Sequence, residues 1–320
     1  MKRIRRIIID TDTGSDDAWA IVLGLCAKEL VRVEAVTVVC GNFPLDLCAK
    51  NAILAAEAAG TYMPPVYRGM ERPLLTRKIF SAEAVHGEDG LGGMHLPDPN
   101  GKAEKKHAVT AMIDLVMASP GEIEIVTMGP LTNLAMASLL EPRFAANVKK
   151  AWILGGTAGA EGNLTPAAEY NVGTDPEAAQ IVLTSGMNMT WVTWDTARGE
   201  TEITEEEVQG LLGGGNPAGR FCALCTGDLA KYYARKYGRT TFGVIDSVVM
   251  MAALYPEIME TVGKAYCTIA LSEGETRGHM AVDQSGHAGQ EPNAEMCTRI
   301  NAAEYKSKMF SLLGIDTAKS

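Results

Sequence analysis

The first third of the chain alternates between apolar runs with strand-like spacing and longer stretches with helical spacing. Strand-like runs end at Ile9 and Val39, and a third, short run surrounds Val66. Residues 17–28 and 45–59 separate these runs and repeat apolar positions with the helical period. This order predicts an α/β fold, an open, mostly parallel, doubly wound sheet of the Rossmann type with helices on both faces.

The pattern continues along the chain without an internal repeat or a linker. Further strands are predicted at residues 122–128, 148–154, 189–194, 265–271, 278–283 and 296–300. Helices are predicted at residues 108–118, from 132, from 175, from 204, at 217–237 and at 247–254, with a last one near the C-terminus. Residues 157–174 lack periodicity and are expected to be irregular. One domain is therefore expected over residues 1–320.

Four carboxylates lie within eight residues, D-T-D-T-G-S-D-D from Asp10 to Asp17, directly after the apolar run Ile7-Ile8-Ile9. Like charges this close repel each other, so a folded chain keeps them together with a compensating cation or with shifted pKa values. The alternative is a solvated turn that caps the next helix, because Asp is favoured at helix N-termini. Four carboxylates after a buried strand favour a divalent metal site at the carboxyl end of that strand.

Polar residues and glycines also follow other predicted strands, at Asn42, Met128-Gly129, Gly155 and Asp195. In open parallel sheets the carboxyl ends of the strands form the edge that binds ligands. The glycine-rich stretch 86–93 begins a long connection and is expected to be a functional loop. The sequence thus places its carboxylates and amides on one rim of the sheet.

The amino-acid composition limits the classes of binding partner and the cellular compartment expected for this chain. The formal net charge of −10 argues against a nucleic acid polymer or an anionic membrane, since either selects for a basic face. Seven cysteines without framework spacing fit a reducing compartment, and Cys222 and Cys225 are interpreted as core thiols. The apolar run before Asp10 is too short for a signal peptide, and no run reaches transmembrane length, so a cytoplasmic protein is expected.

Two interpretations of the acidic stretch fit the chain poorly. An EF-hand calcium loop needs a preceding helix and a glutamate at its twelfth position, whereas a strand precedes Asp10 and the twelfth residue is Ile21. A phosphatase of the haloacid dehalogenase type, with Asp10 as nucleophile, needs a late acidic pair, and the sequence offers no clear one. Such a phosphatase also leaves Asp16 and Asp17 unexplained, so it is the less favoured alternative.

A third interpretation covers much more of the chain. The acidic stretch resembles the opening signature of the inosine-uridine-preferring nucleoside hydrolases, where D-x-D-x-G-x-D-D-A closes the first strand. Further blocks resemble this family in the same order: Cys40-Gly41-Asn42, His86-Gly87, Gly90-Leu91-Gly92, Gly129 to Ala135, Leu154-Gly155-Gly156, Glu161-Gly162-Asn163, Ala168 to Asn171 and Asp175 to Ala179. The resemblance implies the nucleoside hydrolase fold and calcium-dependent hydrolysis of the N-glycosidic bond of a small ribonucleoside.

The resemblance also implies roles for individual residues. Asp12, Asp17 and Asp246 would bind Ca²⁺ together with the main-chain carbonyl of Met128, which suits the preference of this ion for oxygen ligands. Asp12 would also act as general base on the attacking water. Asp10 would brace the loop through backbone N–H groups. Asp246 could be only a helix N-cap, but the favoured interpretation is that it is a metal ligand and a cap together.

The same family pattern implies a set of substrate-binding residues. Asp16 and Asn171 would hold ribose hydroxyls, while Asn163 and Glu169 would hold the 5′-hydroxyl. Asn42 would lie at the same site and support the metal ligands. Asn163 and Asn171 have the alternative of being loop residues that bond only to backbone.

The chain departs from the family before Asp246. Many relatives carry His-Asp there, with histidine as the acid for the departing base, whereas this chain has Ile245-Asp246. Either another group protonates the base, or the enzyme relies on stabilising the ribosyl cation, or the substrate has a better leaving group. Candidates for a replacement acid are His86, Tyr233 and Tyr237, although His86 could equally be a structural loop residue. An acid of this kind is worth about 10²–10⁴-fold in rate. The alternative function is a catalytically silent or weak ribose-binding relative. The family also implies a homodimer or homotetramer.

Overall fold

The computed structural model describes residues 3–75 and 80–315. Its strands are β1 (Arg5–Thr11), β2 (Val31–Val38), β3 (Val66–Arg68), β4 (Ile123–Thr127), β5 (Lys150–Leu154), β6 (Met189–Val192), β7 (Met259–Ile269), β8 (Met280–Asp283) and β9 (Ala294–Ile300). Within these residues the strands form one sheet in the order β3-β2-β1-β4-β5-β6-β9-β7-β8. Only β7 runs antiparallel to its neighbours, β9 and β8. The predicted open, mostly parallel sheet is confirmed.

Strand β1 shows how the sequence builds the centre of this sheet. Ile7 and Ile9 pack into one hydrophobic cluster, and Ile8 packs into a second cluster on the opposite face. All three side chains are at most 1% exposed. Full burial of such a side chain contributes about 2 kcal/mol, so an unbroken apolar run is stable here only with helices on both faces.

Helices supply those two layers. They are α1 (Ser15–Cys26), α2 (Leu45–Ala58), α3 (Glu83–His86), α4 (Ala108–Ala118), α5 (Thr132–Leu140), α6 (Phe144–Asn147), α7 (Tyr170–Thr174), α8 (Pro176–Leu183), α9 (Glu205–Gly213), α10 (Pro217–Cys225), α11 (Gly227–Tyr237), α12 (Ile245–Leu254) and α13 (Ala302–Leu312). Helices α1, α2 and α12 pack on the Ile7 face, and α4, α5 and α8 pack on the Ile8 face. None of these helices is long and apolar enough to cross a membrane.

The single long helix predicted at residues 217–237 is wrong. The chain forms α10 and α11, with a turn at Thr226 whose hydroxyl donates to the carbonyl of Ala223 at 2.9 Å. Gly92, in the glycine-rich loop, lies so close that a Cβ there would be 2.3 Å from the carbonyl oxygen of Cys225. The interruption therefore coincides with a close packing of the loop against the helix ends, which helical periodicity does not reveal.

Two other boundaries also differ from prediction. Residues 157–174 are not irregular throughout, because Glu169 caps the short helix α7 by accepting from the backbone N–H groups of Asn171 and Val172. Strand β7 begins at Met259, although its first half is mostly exposed and carries no hydrophobic signal. Pairing with β9 from Met259 to Ala265 extends this strand.

Candidate active site

A cavity of about 280 Å³ opens at the carboxyl ends of the parallel strands. Among the residues that line it are eight predicted site residues: Asp16, Asn42, His86, Met128, Asn163, Glu169, Asn171 and Asp246. Asp12 and Asp17 lie beneath its surface, 1% and 0% exposed. A larger cleft of about 1150 Å³ elsewhere on the surface contains none of them. The sequence-predicted residues thus converge on one cavity, although they come from segments spread over more than 200 residues.

The cavity has two chemically different walls. The polar wall consists of Asp16, Asn42, Asn163, Glu169, Asn171 and Asp246. The aromatic wall consists of Trp194, Tyr232, Tyr233 and Tyr237, together with Ile245. A cavity of this kind can hold a molecule with a hydroxyl-rich part and a flat apolar part.

Three carboxylates lie close together at the bottom of the cavity, beside the polar wall. Asp16, Asp17 and Asp246 each offer an oxygen, and these oxygens lie within 4.8 Å of one another. Burial raises the pKa of Asp16 and of Asp17 to about 6. Burial and then the charges of Asp16 and Asp17 raise the pKa of Asp246 well above its ordinary value. Three buried acids this close cannot all be ionised unless a cation balances them.

Asp17 is held rigidly by its own loop. Its Oδ1 accepts from the hydroxyl of Thr11 at 2.5 Å, and its Oδ2 accepts from the backbone N–H of Gly14 at 2.8 Å. The side-chain amide of Asn42 donates to the same Oδ2 at 3.3 Å. Helix α1 therefore starts around this carboxylate, which fixes its direction before any ligand arrives.

Asp12 is enclosed between two glycines. Its Oδ2 accepts from the backbone N–H of Asn42 at 2.7 Å. A Cβ at Gly41 would be 2.1 Å from that oxygen, and a Cβ at Gly129 would be 2.7 Å from Oδ1. Burial and then the charge of Asp17 raise the pKa of Asp12 well above its ordinary value. The absence of a side chain at Gly41 and Gly129 thus makes room for the carboxylate of Asp12, a catalytic candidate.

The donor set fits a hard divalent cation. Oδ1 of Asp12 and Oδ1 of Asp16 are buried, and neither has a hydrogen-bond partner within residues 3–75 and 80–315. A buried carboxylate oxygen without a donor is costly unless it is protonated or bound to a metal. Oxygen-only ligands of this kind suit Ca²⁺ or Mg²⁺ rather than a transition metal.

Within the described residues, no backbone N–H group donates to the side chain of Asp10, so the prediction that Asp10 braces the loop in this way is wrong. Its Oδ1 accepts from the hydroxyl of Thr37 at 2.6 Å and from the side-chain amide of Asn133 at 2.9 Å. Asp10 belongs to β1, one residue before its end, and is fully buried beneath the cavity. It ties β1 to β2 and α5, and this role is structural.

Residues on the polar wall are positioned largely by backbone contacts. The Glu169 carboxylate accepts three backbone N–H groups, those of Gly156, Asn171 and Val172, at 2.9–3.1 Å. The Asn171 amide donates to the Met128 carbonyl at 2.6 Å.

Asn163 accepts from the backbone N–H of Tyr170 at 2.7 Å. Asn163 and Asn171 thus make the side chain–backbone bonds of loop residues, yet both also line the cavity. The two interpretations of these asparagines are therefore compatible.

Asp246 is not a helix cap. Helix α12 begins at Ile245, and its N-cap is Val244. Asp246 lies instead within hydrogen-bonding reach of Asp16 and Asp17. Ile245, one residue earlier, lines the aromatic wall and carries no proton to donate.

His86 is the last residue of α3 and is 5% exposed. Its Nδ1 lies 2.7 Å from the hydroxyl of Ser15 and 3.8 Å from Oδ1 of Asp16. Burial lowers the pKa of His86 to about 4, so the imidazole is neutral at physiological pH. A neutral histidine can still donate one hydrogen bond to a ligand.

The three tyrosines of α11 pack against one another. The ring centroids of Tyr233 and Tyr237 are 5.3 Å apart, and Tyr232 lies 6.1 and 6.2 Å from them. Burial raises the pKa of Tyr233, which makes its hydroxyl a weaker acid. Tyr237 keeps 42% of its surface exposed. The sequence does not identify Trp194 and Tyr232 as site residues. The i, i+4 spacing of Tyr233 and Tyr237, in contrast, indicates that these two side chains share one face of a helix.

Comparison with known proteins fits this geometry. The family model of the inosine-uridine preferring nucleoside hydrolases matches residues 7–307. The chain belongs to this family. Nucleoside hydrolases are N-ribohydrolases, enzymes that use water to cleave the N-glycosidic bond of ribonucleosides. This assignment excludes the phosphatase alternative, whose nucleophile Asp10 is fully buried.

Individual relatives extend the likeness over most of this nucleoside hydrolase. A probable uridine nucleosidase 2 from Oryza sativa subsp. japonica is 36% identical over 284 residues, which cover 87% of this chain and 82% of that relative. The solved plant nucleoside hydrolase PpNRh1 superposes with a TM-score of 0.91 at 30% identity, over 98% of this chain and 99% of its own. A purine-preferring ribonucleoside hydrolase from Gardnerella vaginalis gives 0.90 at 25%, over 97% and 98%.

Some residues shape the site of this nucleoside hydrolase through contacts that are not evident from sequence. Thr11 and Ser15 lie inside the acidic motif, yet their hydroxyls orient Asp17 and contact His86. Asp195 follows β6 and accepts three successive backbone N–H groups, from residues 158 to 160, at 2.8 Å each. It holds the loop that carries Asn163. Such contacts depend on the approach of distant loops.

Proposed function

We propose that this nucleoside hydrolase depends on calcium and uses Asp12 as general base. The observation that carries the proposal is the buried cluster of Asp16, Asp17 and Asp246 at the bottom of the cavity. Among the described residues, Oδ1 of Asp16 and Oδ1 of the neighbouring Asp12 have no hydrogen-bond partner. This cluster has the charge and the oxygen donors that Ca²⁺ requires.

Asp12, Asp17, Asp246 and the main-chain carbonyl of Met128 would hold the ion. The Met128 carbonyl already accepts from Asn171, and its second lone pair is left for a cation. Asp16 shares the cluster and faces the cavity, which suits a carboxylate that grips a sugar hydroxyl beside the ion. When bound, calcium would make a coordinated water more acidic and hold it beside the ribose.

Asp12 then removes a proton from the attacking water. The water oxygen forms a bond to the anomeric carbon of ribose, and the N-glycosidic bond breaks with its electron pair moving to the base nitrogen. Ribose is released with the new hydroxyl, and the base takes up a proton. Burial raises the pKa of Asp12 above its ordinary value, which makes its carboxylate a stronger base.

The polar wall would bind the sugar. Asp16 and Asn171 would hold the ring hydroxyls, and Asn163 and Glu169 would hold the 5′-hydroxyl. Asn42 would support the metal ligands, because it donates hydrogen bonds to Asp12 and Asp17. Because these side chains are polar and all except the half-buried Asn163 are buried, a deoxy-sugar would leave partners unpaired and bind poorly.

The aromatic wall would hold the base. Flat rings stack on Trp194 and on the exposed edge of Tyr237 without demanding one pattern of hydrogen bonds. The names of the relatives point both to uridine and to purines, and this wall supports turnover of more than one base. Ile245 offers no proton, so His86 is the proposed donor to the leaving base.

For the rest of its biology, we propose a single domain spanning residues 1–320 that works in the cytoplasm as a homodimer or homotetramer. The substrate is a small ribonucleoside. The net charge of −10 is poorly suited to a nucleic acid polymer or an anionic membrane.

Ribose release from a panel of ribonucleosides, with and without a calcium chelator, tests the function. We expect release with calcium, loss with the chelator and recovery when calcium is restored. The rival function, a silent ribose-binding relative, is favoured by Ile245 at the acid position. It predicts ribose binding by calorimetry with no release from any nucleoside.

A further inference from the structure

Ser15 touches the ring of His86 in a way that fixes where the imidazole carries its proton. The backbone N–H of Ser15 points at Nδ1 of His86 at 3.4 Å, and the hydroxyl of Ser15 lies 2.7 Å from the same nitrogen. A backbone N–H can only donate, so Nδ1 has to accept. A proton on Nδ1 would face the N–H of Ser15 directly.

The remaining ring nitrogen must therefore carry the proton. The carboxylate of Asp16 does not reverse this assignment, because its Oδ1 is 3.8 Å from Nδ1 and beyond hydrogen-bonding range. The ring is also held from the side, since a Cβ at Gly14 would lie 3.0–3.1 Å from three of its atoms. Because His86 lines the cavity and Nδ1 is occupied, Nε2 is the nitrogen available to a ligand.

We propose that Ser15 is a positioning residue that holds His86 as the neutral Nε2–H tautomer, so that His86 donates a hydrogen bond to the leaving base. This inference rests on the proposed hydrolysis and names how the chain compensates for Ile245. Tautomer control by a hydrogen bond to the other ring nitrogen is a general device in histidine catalysis. Here the control comes from residue 15, inside the motif that also provides Asp16 and Asp17.

Nitrogen NMR of protein labelled in its histidines tests the tautomer directly. The chain has five histidines, and His86→Gln identifies the signal of His86. We expect a protonated Nε2 and an unprotonated Nδ1 in the wild-type protein. A protonated Nδ1 overturns the proposal. The spectrum needs no turnover, so it decides the tautomer even if the protein releases no ribose, an outcome that would refute only the proposed function.

Kinetics test whether Ser15 acts through His86. Ser15→Ala keeps the backbone N–H, which is 3.4 Å from Nδ1, and removes the hydroxyl at 2.7 Å. We therefore expect a partial shift towards the other tautomer and a kcat for uridine or inosine that is about tenfold lower, the size of one lost hydrogen bond. Ser15→Thr keeps the hydroxyl and should restore both the spectrum and kcat. With 4-nitrophenyl riboside, whose leaving group departs as a phenolate without a proton, the loss should be much smaller.

A double-mutant cycle completes the test. If Ser15 works by orienting His86, Ser15→Ala causes little further loss in the His86→Gln background. An equal loss in both backgrounds assigns Ser15 a separate, structural role and overturns the proposal. An unchanged spectrum and an unchanged kcat in Ser15→Ala also overturn it. If Ser15→Ala does not fold, the wild-type spectrum and the Ser15→Thr variant still decide the matter.

Discussion

On the polar wall, Glu169 is fixed by three backbone N–H groups, whereas on the aromatic wall Tyr237 stays 42% exposed and is held by ring packing. Hydrogen bonds to backbone set both the position and the direction of a side chain, while packing of flat rings sets position alone. Under the proposed function, the polar wall would bind one sugar, and the aromatic wall would accommodate several flat leaving groups. We therefore propose that the polar wall determines binding of the sugar and the aromatic wall determines the range of bases.

The largest effect is expected beneath the polar wall. Asp12→Asn should lower kcat about 10⁴-fold, because it removes both the proposed base and one metal ligand. Asp10→Asn is a matched control, since Asp10 is equally buried two residues earlier. In the part of the chain that the structure describes, its side chain accepts hydrogen bonds from Thr37 and Asn133. Ribose release should stay within about tenfold of wild type in this control. Equal loss of activity in both variants would remove the distinction between Asp12, the proposed general base, and the structural Asp10.

A substitution on the aromatic wall should raise activity. Ile245→His places an acid at the start of α12, next to the cavity, and should increase kcat for uridine or inosine by up to about 10²-fold. Ile245→Leu keeps the apolar surface and should leave kcat unchanged. If Ile245→His does not raise kcat with any nucleoside, protonation of the base does not limit the rate. The lack of an acid on the aromatic wall then has no effect on catalysis.

A smaller effect is expected at the mouth of the polar wall. Asn163→Ala should lower kcat/KM for uridine about tenfold, the value of one hydrogen bond to the 5′-hydroxyl. With 5′-deoxyuridine the same variant should behave nearly as wild type, because the partner is already missing. Steady-state kinetics with both substrates measure this coupling. Equal losses with the two substrates would show that Asn163 serves only its loop.

The smallest effect is expected from the loop anchor. Asp195→Ala removes the acceptor of three backbone N–H groups, so the loop that carries Asn163 should loosen. We expect KM to rise about threefold with kcat nearly constant, since the anchor positions the sugar pocket and touches no reacting atom. Asp195→Asn retains one acceptor oxygen, so its KM should lie between those of the wild type and Asp195→Ala. A drop in kcat without a change in KM would contradict this assignment.

Much of the fold follows from local patterns. The run Ile7-Ile8-Ile9 indicates burial on both faces, and both hydrophobic clusters use it. The cap at Asp175 is equally legible, because a side-chain acceptor followed by proline acts within one turn of helix. The first half of strand β7 could not be predicted from the sequence, because it is mostly exposed and forms by pairing with β9.

In the candidate site, too, some features follow from the sequence and others only from the tertiary structure. The sequence by itself determined a metal-suited acidic cluster after the first strand, since four carboxylates so close in the chain remain close in any fold. Only the tertiary structure decided that Asp246 joins Asp16 and Asp17, that Asp10 is structural, and that Ser15 contacts His86. Those contacts join segments up to 230 residues apart, and their distances depend on how the whole sheet brings its loops to one edge.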